Sequence, residues 1–150
     1  MSVCVPALNQ LIAIAGEDFV AIVTDTRISS GYSILSRDYC KTTMLTKICA
    51  ITSSGMVADI NAFHKTLQLK IKQYQIQFKK SPSTHSIAKM VSNQLYSRRF
   101  FPYYSFNLVA GIDEEGKGVC FGYDAIGSYD AVTYGIQGSG NQLGVPILDN

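Results

Sequence analysis

Asp25, Thr26 and Arg27 follow directly on the apolar run Phe19–Val23. Charged groups at the end of a buried strand are either paired structurally or belong to a site. Lys41 is carried by a polar, loop-like stretch, Ser36–Thr43. Arg98-Arg99-Phe100-Phe101-Pro102-Tyr103-Tyr104 sets cations beside aromatic rings, as single-strand nucleic-acid binders do. Aromatic residues and arginine also dominate protein interfaces. A net charge of only +2 argues against nucleic acid and against an anionic membrane, so the interface reading is preferred. Cys4, Cys40, Cys49 and Cys120 lie far apart with no C-x-x-C, and with His64 and His85 they make no zinc site. They read as the reduced thiols of a cytosolic or nuclear protein. His64 reads as a helix-surface residue and His85 as an early-turn residue. Gly116-Lys117-Gly118 is a turn, because it lacks the longer glycine-rich frame of a phosphate loop. Glu17, Asp18, Glu114 and Glu115 sit in turns and read as solvated.

The elements that position these residues follow from hydrophobic period and punctuation. Leu11–Ala15 and Phe19–Val23 flank the polar turn Gly16-Glu17-Asp18. They read as a β-hairpin buried on both faces, since neither run alternates apolar with polar residues. Ile28-Ser29-Ser30-Gly31 reads as a turn, Tyr32–Leu35 as a short strand and Lys47–Thr52 as another. Ser53-Ser54-Gly55 breaks that strand and offers N-capping hydroxyls. Ile60, Phe63, Leu67, Ile71, Tyr74 and Phe78 recur at helical spacing, with lysines and glutamines between them. Lys79-Lys80-Ser81-Pro82 ends that helix. Ser83 or Thr84 caps a second one, in which Ile87, Val91 and Leu95 share a face. The two pack antiparallel. Tyr103–Ile112 and Gly118–Tyr123 are strands joined by Asp113-Glu114-Glu115-Gly116. Tyr129–Gln137 is a further strand. Gly138-Ser139-Gly140-Asn141 is a glycine turn in which Ser139 or Asn141 caps a final helical stretch.

One hundred and fifty residues allow one domain with a real core. The chain is 47% hydrophobic and 16% charged, richer in apolar residues than an average soluble domain. That composition fits a subunit burying surface against partners, or a well-packed monomer. The longest run without a charge or a strong polar group is well short of the roughly 18 residues that span a bilayer. The start, MSVCVPALNQ, has no basic n-region and does not read as a secretory signal. Strands before and after one helix pair suggest a sheet with helices on its outer face. A second sheet would cover the other face of the buried hairpin.

AIAGEDF (Ala13–Phe19), DTR (Asp25–Arg27), YSRRFFPYY (Tyr96–Tyr104), DEEGKG (Asp113–Gly118) and GSY (Gly127–Tyr129) resemble the proteasome β subunits. These belong to the N-terminal nucleophile hydrolases, and the nearer likeness is to a non-catalytic branch. The resemblance runs from about Leu11 to Asn150. It implies an α+β fold, the four-layer αββα sandwich of that superfamily, here truncated at its C-terminal end. Residues 1–8 are then a leader or mobile segment, and residues 9–150 an incomplete β-type domain.

Active members of the family expose a threonine as first residue. Its hydroxyl attacks the peptide carbonyl and its free amine serves as general base. In register with Asp25, that nucleophile position falls on Asn9, whose amide has no nucleophilic oxygen. Leu8 precedes it where self-processing members have glycine, and Gln10 is no substitute. The resemblance places the family's aspartate at Asp25, its lysine at Lys41 and its serine at Ser139. Asp25 and Lys41 are then a structural ion pair, and no catalytic residue is expected. An active amidohydrolase using Ser2 after removal of Met1 is the rival. Ser2 lies well upstream of the register, and Pro6 stiffens the approach. No cofactor or metal is implied. The implied partners are other β subunits in a seven-membered ring, an α ring and the opposite β ring, with no nucleic acid and no membrane. The implied role is structural, in ATP- and ubiquitin-dependent protein degradation in cytoplasm and nucleus. A truncated copy that does not assemble is the other reading, and alone the chain is expected to be poorly stable.

Overall fold

Alternation along three strands organises the core. In β7 (Cys49–Gly55), β8 (Ser105–Ile112) and β9 (Gly118–Tyr123), one face carries Cys49, Ile51, Val109, Phe121 and Tyr123. The other carries Ala50, Leu108, Ala110 and Cys120. The structure is a computed structural model; it describes residues 10–149 and the backbone of Ser2–Val5. With β6 (Thr42–Met44) and β10 (Tyr129–Val132), these strands form an antiparallel sheet in the order β10-β9-β8-β7-β6.

Helices α1 (Val57–Phe78) and α2 (Thr84–Tyr96) cover the first face. Phe63, Leu67 and Ile71 from α1 and Ile87, Val91 and Leu95 from α2 are buried against it. Lys79, in the left-handed conformation at φ 56°, ends α1 where the proline signal placed its end. Ser83 caps α2 as expected, its hydroxyl accepting the Ser86 N–H at 3.3 Å. The start of α1 differs from expectation. Ser53 and Ser54 do not cap it, because pairing with Asn107 and Phe106 carries β7 on to Gly55. Met56 holds the N-cap position without a side-chain bond.

The opposite face meets a second sheet, β1-β3-β2-β11, of β1 (Ser2–Val5), β2 (Gln10–Ala15), β3 (Val20–Asp25) and β11 (Tyr134–Gly138). Leu11, Ala13 and Ile22 pack on Ala50, Leu108, Ala110 and Cys120. Small residues let the sheets approach: a methyl on Gly135 would come within 2.7 Å of the Leu108 side chain. Ser2–Val5, within the expected leader, run parallel to Ile22–Asp25. On the inner face of the hairpin β2–β3, Leu11, Ala13, Ile22 and Thr24 are buried, and Ala15 and Val20 partly so. On the other face Ile12, Ile14, Ala21 and Val23 are only half-buried. There α3 (Asn141–Leu148) covers Ile136 through Gly144.

Three further expectations change. Tyr129–Gln137 is not one strand. It breaks at Thr133, whose carbonyl accepts the Ala15 N–H, and β10 and β11 join different sheets. Ile28-Ser29-Ser30 is not a turn but β4 (Ile28–Ser30), paired with β5 (Ser33–Ser36) across Gly31 and Tyr32. Neither Ser139 nor Asn141 caps α3. Gly140 takes that position without a side-chain bond, and a Cβ there would have to displace the Gln10 side chain.

Candidate functional site

The C-terminal end of β3 delivers Asp25 into the interior, where it is 4% exposed. One carboxylate oxygen accepts the Lys41 ammonium at 2.6 Å and the Gln10 N–H at 3.0 Å. The other accepts the Arg27 N–H at 3.2 Å. Lys41 is 6% exposed, and it is held from both sides. Its carbonyl accepts the Ser53 N–H at 3.3 Å and the Thr52 hydroxyl at 3.2 Å. The preceding segment is tied to the end of β3, since Thr26 donates to the Arg37 carbonyl at 2.7 Å and accepts the Tyr39 N–H at 3.0 Å. The structure therefore brings Asp25 and Lys41 together, as the sequence implied, while the Arg27 side chain stays exposed.

Ser139 is exposed and lines a neighbouring cavity of about 420 Å³ with Ser54, Gly55, Met56, Tyr104 and Phe106. Lys41 lines a hollow of about 40 Å³ with Arg27, Tyr39, Ser53, Ser54 and Gly55. Ser54 and Gly55 thus form a common wall between the lysine and the serine. The Ser54 hydroxyl is buried and has no hydrogen-bond partner among the described residues. Asn9 and Leu8 lie outside the described residues. Gly55 has φ +124°, and a Cβ there would come within 2.4 Å of the Tyr104 carbonyl oxygen. Gly55→Ala is expected to cost more than about 1 kcal/mol, read as a lowered midpoint of thermal unfolding. Gly31→Ala, at positive φ with nothing within 4 Å, is expected to cost less.

A second constellation was not foreseen. His64 is not on the helix surface: it is 6% exposed and faces β7. Its Nε2 lies 2.7 Å from the Ser53 hydroxyl, and its Nδ1 lies 2.8 Å from the Thr43 hydroxyl. Ser53 donates to Asn107 Oδ1 at 2.6 Å, and Asn107 in turn donates to Ser105. Since the Ser53 proton goes to Asn107, Nε2–H must donate to Ser53 while Nδ1 accepts from Thr43. Nε2 is then no base for Ser53. Burial also lowers the imidazole to about 4, which makes it a weak base. The signal was present in the sequence. Ile60, His64, Leu67 and Ile71 share one helical face, and Ser53 falls in register with Ile51 on its strand.

Burial pushes the Cys49 and Cys120 thiols up to about 12, so neither is primed as a nucleophile. His85 is exposed, against the edge of Phe121. Glu17, Asp18, Glu114 and Glu115 are exposed, as their turns implied. Among the described residues no three His, Cys, Asp or Glu side chains converge on a point.

A family profile described as "Proteasome subunit" matches residues 9–150. Proteasome subunit beta type-1 of Arabidopsis thaliana is 52% identical over 139 residues, covering 93% of this chain and 62% of that protein. The protein of the same name from Dictyostelium discoideum is 50% identical over 141 residues, covering 93% and 60%. That from Drosophila melanogaster is 41% identical over 142 residues, covering 95% and 60%. The chain spans about three fifths of the length of these curated relatives.

Proposed function

The chain belongs to the proteasome subunit family, and we propose that it serves as a non-catalytic, structural subunit of the 20S core, placed in the β ring. The observation that carries this reading is the residue at position 9. Asn9 stands where the family's register puts the nucleophile, and its amide cannot attack a carbonyl. The pair that would serve that nucleophile, Asp25 and Lys41, remains buried and bonded at 2.6 Å. In this reading it is kept because it locks three segments together: the start of β2, the end of β3 and the approach to β6. The layer order is αββα, with α3 in the outer helix layer. Other β subunits flank the chain in a ring of seven, an α ring lies on one side and the second β ring on the other. The role is structural, in ATP- and ubiquitin-dependent protein degradation in cytoplasm and nucleus, with no cofactor or metal.

An electrophilic peptide probe that captures N-terminal nucleophiles tests this. Added to particles purified through a tag on this chain, it should label neighbouring subunits and leave this chain at its unmodified mass. A probe adduct on the first residue of this chain would mean that it is an active peptidase subunit. Recovery of the tagged chain only as free monomer would remove the structural role.

A further inference from the structure

We propose that the turn between α2 and β8 is an anchor, inserting Phe100 and Phe101 into an apolar pocket rimmed by carboxylates on an adjoining proteasome subunit. The proposal rests on the reading above. Phe100 is 98% exposed and Phe101 81%, the most exposed phenylalanines among the described residues. They do not belong to a loose loop. Arg98 N–H donates to the Leu95 carbonyl, Arg99 N–H to Tyr96 and Phe101 N–H to Arg98. On the far side Tyr103 is buried against Phe63, with ring centroids 5.2 Å apart, and Tyr104 N–H donates to Asp59 at 2.9 Å. A turn tied at both ends presents its aromatic rings with little ordering left to lose on docking.

Charge selects the kind of partner. Among the described residues the ion pairs are Lys41–Asp25 and Lys117–Glu115, so neither Arg98 nor Arg99 has a carboxylate of its own. Instead Arg98 lies over the Tyr103 ring at 4.9 Å and Arg99 beside Phe100 at 5.9 Å. A guanidinium stacked on a ring keeps its in-plane N–H groups free for bidentate carboxylate binding. Aromatic anchors flanked by arginine are the residues that carry most energy at the centre of protein interfaces. Beyond the turn, Tyr104 and Phe106, which meet edge to face, and Met56 are exposed and line one cavity.

The test expresses the tagged chain in its own cells and measures by native mass spectrometry the share that enters the large particle. The paired variant Phe100→Asp with Phe101→Asp should lower that share at least about tenfold against wild type. Arg98→Glu with Arg99→Glu should also lower it, whereas Arg98→Lys with Arg99→Lys should lower it less. An unchanged share in the phenylalanine variant overturns the anchor and leaves the structural role standing. Loss of soluble free chain along with particle would show that the turn packs within its own chain, and overturns the anchor as well. So does a salt-dependent affinity of wild type for single-stranded oligonucleotide that the phenylalanine variant loses. A wild-type chain that never enters the particle overturns both readings together.

Discussion

Asp25→Ala is expected to destabilise the chain by about 3–5 kcal/mol, the cost of leaving one member of a buried ion pair without its partner. The substitution takes the carboxylate away from the Lys41 ammonium, which is 6% exposed, and deprives the Gln10 and Arg27 N–H groups of their acceptor. Lys41→Met should cost less, because the carboxylate keeps those two backbone donors and the long apolar side chain fills the space. Combining Asp25→Leu with Lys41→Met should recover part of the loss, since an apolar pair of similar volume carries no desolvation penalty. Urea unfolding at neutral pH gives the ordering through the shift in midpoint at unchanged slope. A cost under about 1 kcal/mol for Asp25→Ala would place the pair among the weak, solvent-screened ones and would contradict its burial.

His64 should make stability depend on pH. Burial lowers its imidazole from 6.5 to about 4 in the folded chain, and unfolding restores the ordinary value. Between those two values the unfolded state binds more protons than the folded state, so stability rises with pH across this window. The contribution is fully present above about pH 6.5 and is lost as pH falls towards 4. Integrated over the window it amounts to roughly 3 kcal/mol. His64→Gln should flatten this part of the profile, which separates the imidazole from the carboxylates that titrate nearby in pH. His64→Ala should cost about 2 kcal/mol or more at pH 7, because it leaves the Ser53 and Thr43 hydroxyls each short of a partner and opens a void under α1. Melting curves between pH 4 and 7 that run parallel for wild type and His64→Gln would count against the buried, neutral imidazole.

Both effects arise from segments distant in sequence meeting at β7. Ser53 N–H holds the Lys41 carbonyl, while the Ser53 hydroxyl receives His64 and donates to Asn107. One residue thus ties the approach to β6, helix α1 and strand β8 at the level where Ser54 and Gly55 wall the site. His64 and Lys41 thus share Ser53 as a common hydrogen-bond partner, through its hydroxyl and its N–H respectively.

The amino-acid sequence by itself determined the elements whose signals are local. The 3.6-residue period marked α1 and α2, Pro82 and Ser83 marked the boundary between them, and unbroken β-branched runs marked the core strands. It also determined the family, and with it the pairing of Asp25 with Lys41, since both residues stand in the motif register. Only the tertiary structure decided which sheet each strand joined. Tyr129–Gln137 reads as one strand because both halves carry aromatic and β-branched residues, and nothing local says that the chain crosses between sheets at Thr133. It also decided that Ser53 and Ser54 pair rather than cap, since Asn107 and Phe106, far along the chain, extend β7 past them. The place of His64 was half legible: its helical face was written in the spacing. Its burial was not, because a histidine enters an apolar core only where other segments bring it partners. Those partners, Thr43 and Ser53, come from two different strands, and only the packed chain sets all three side by side.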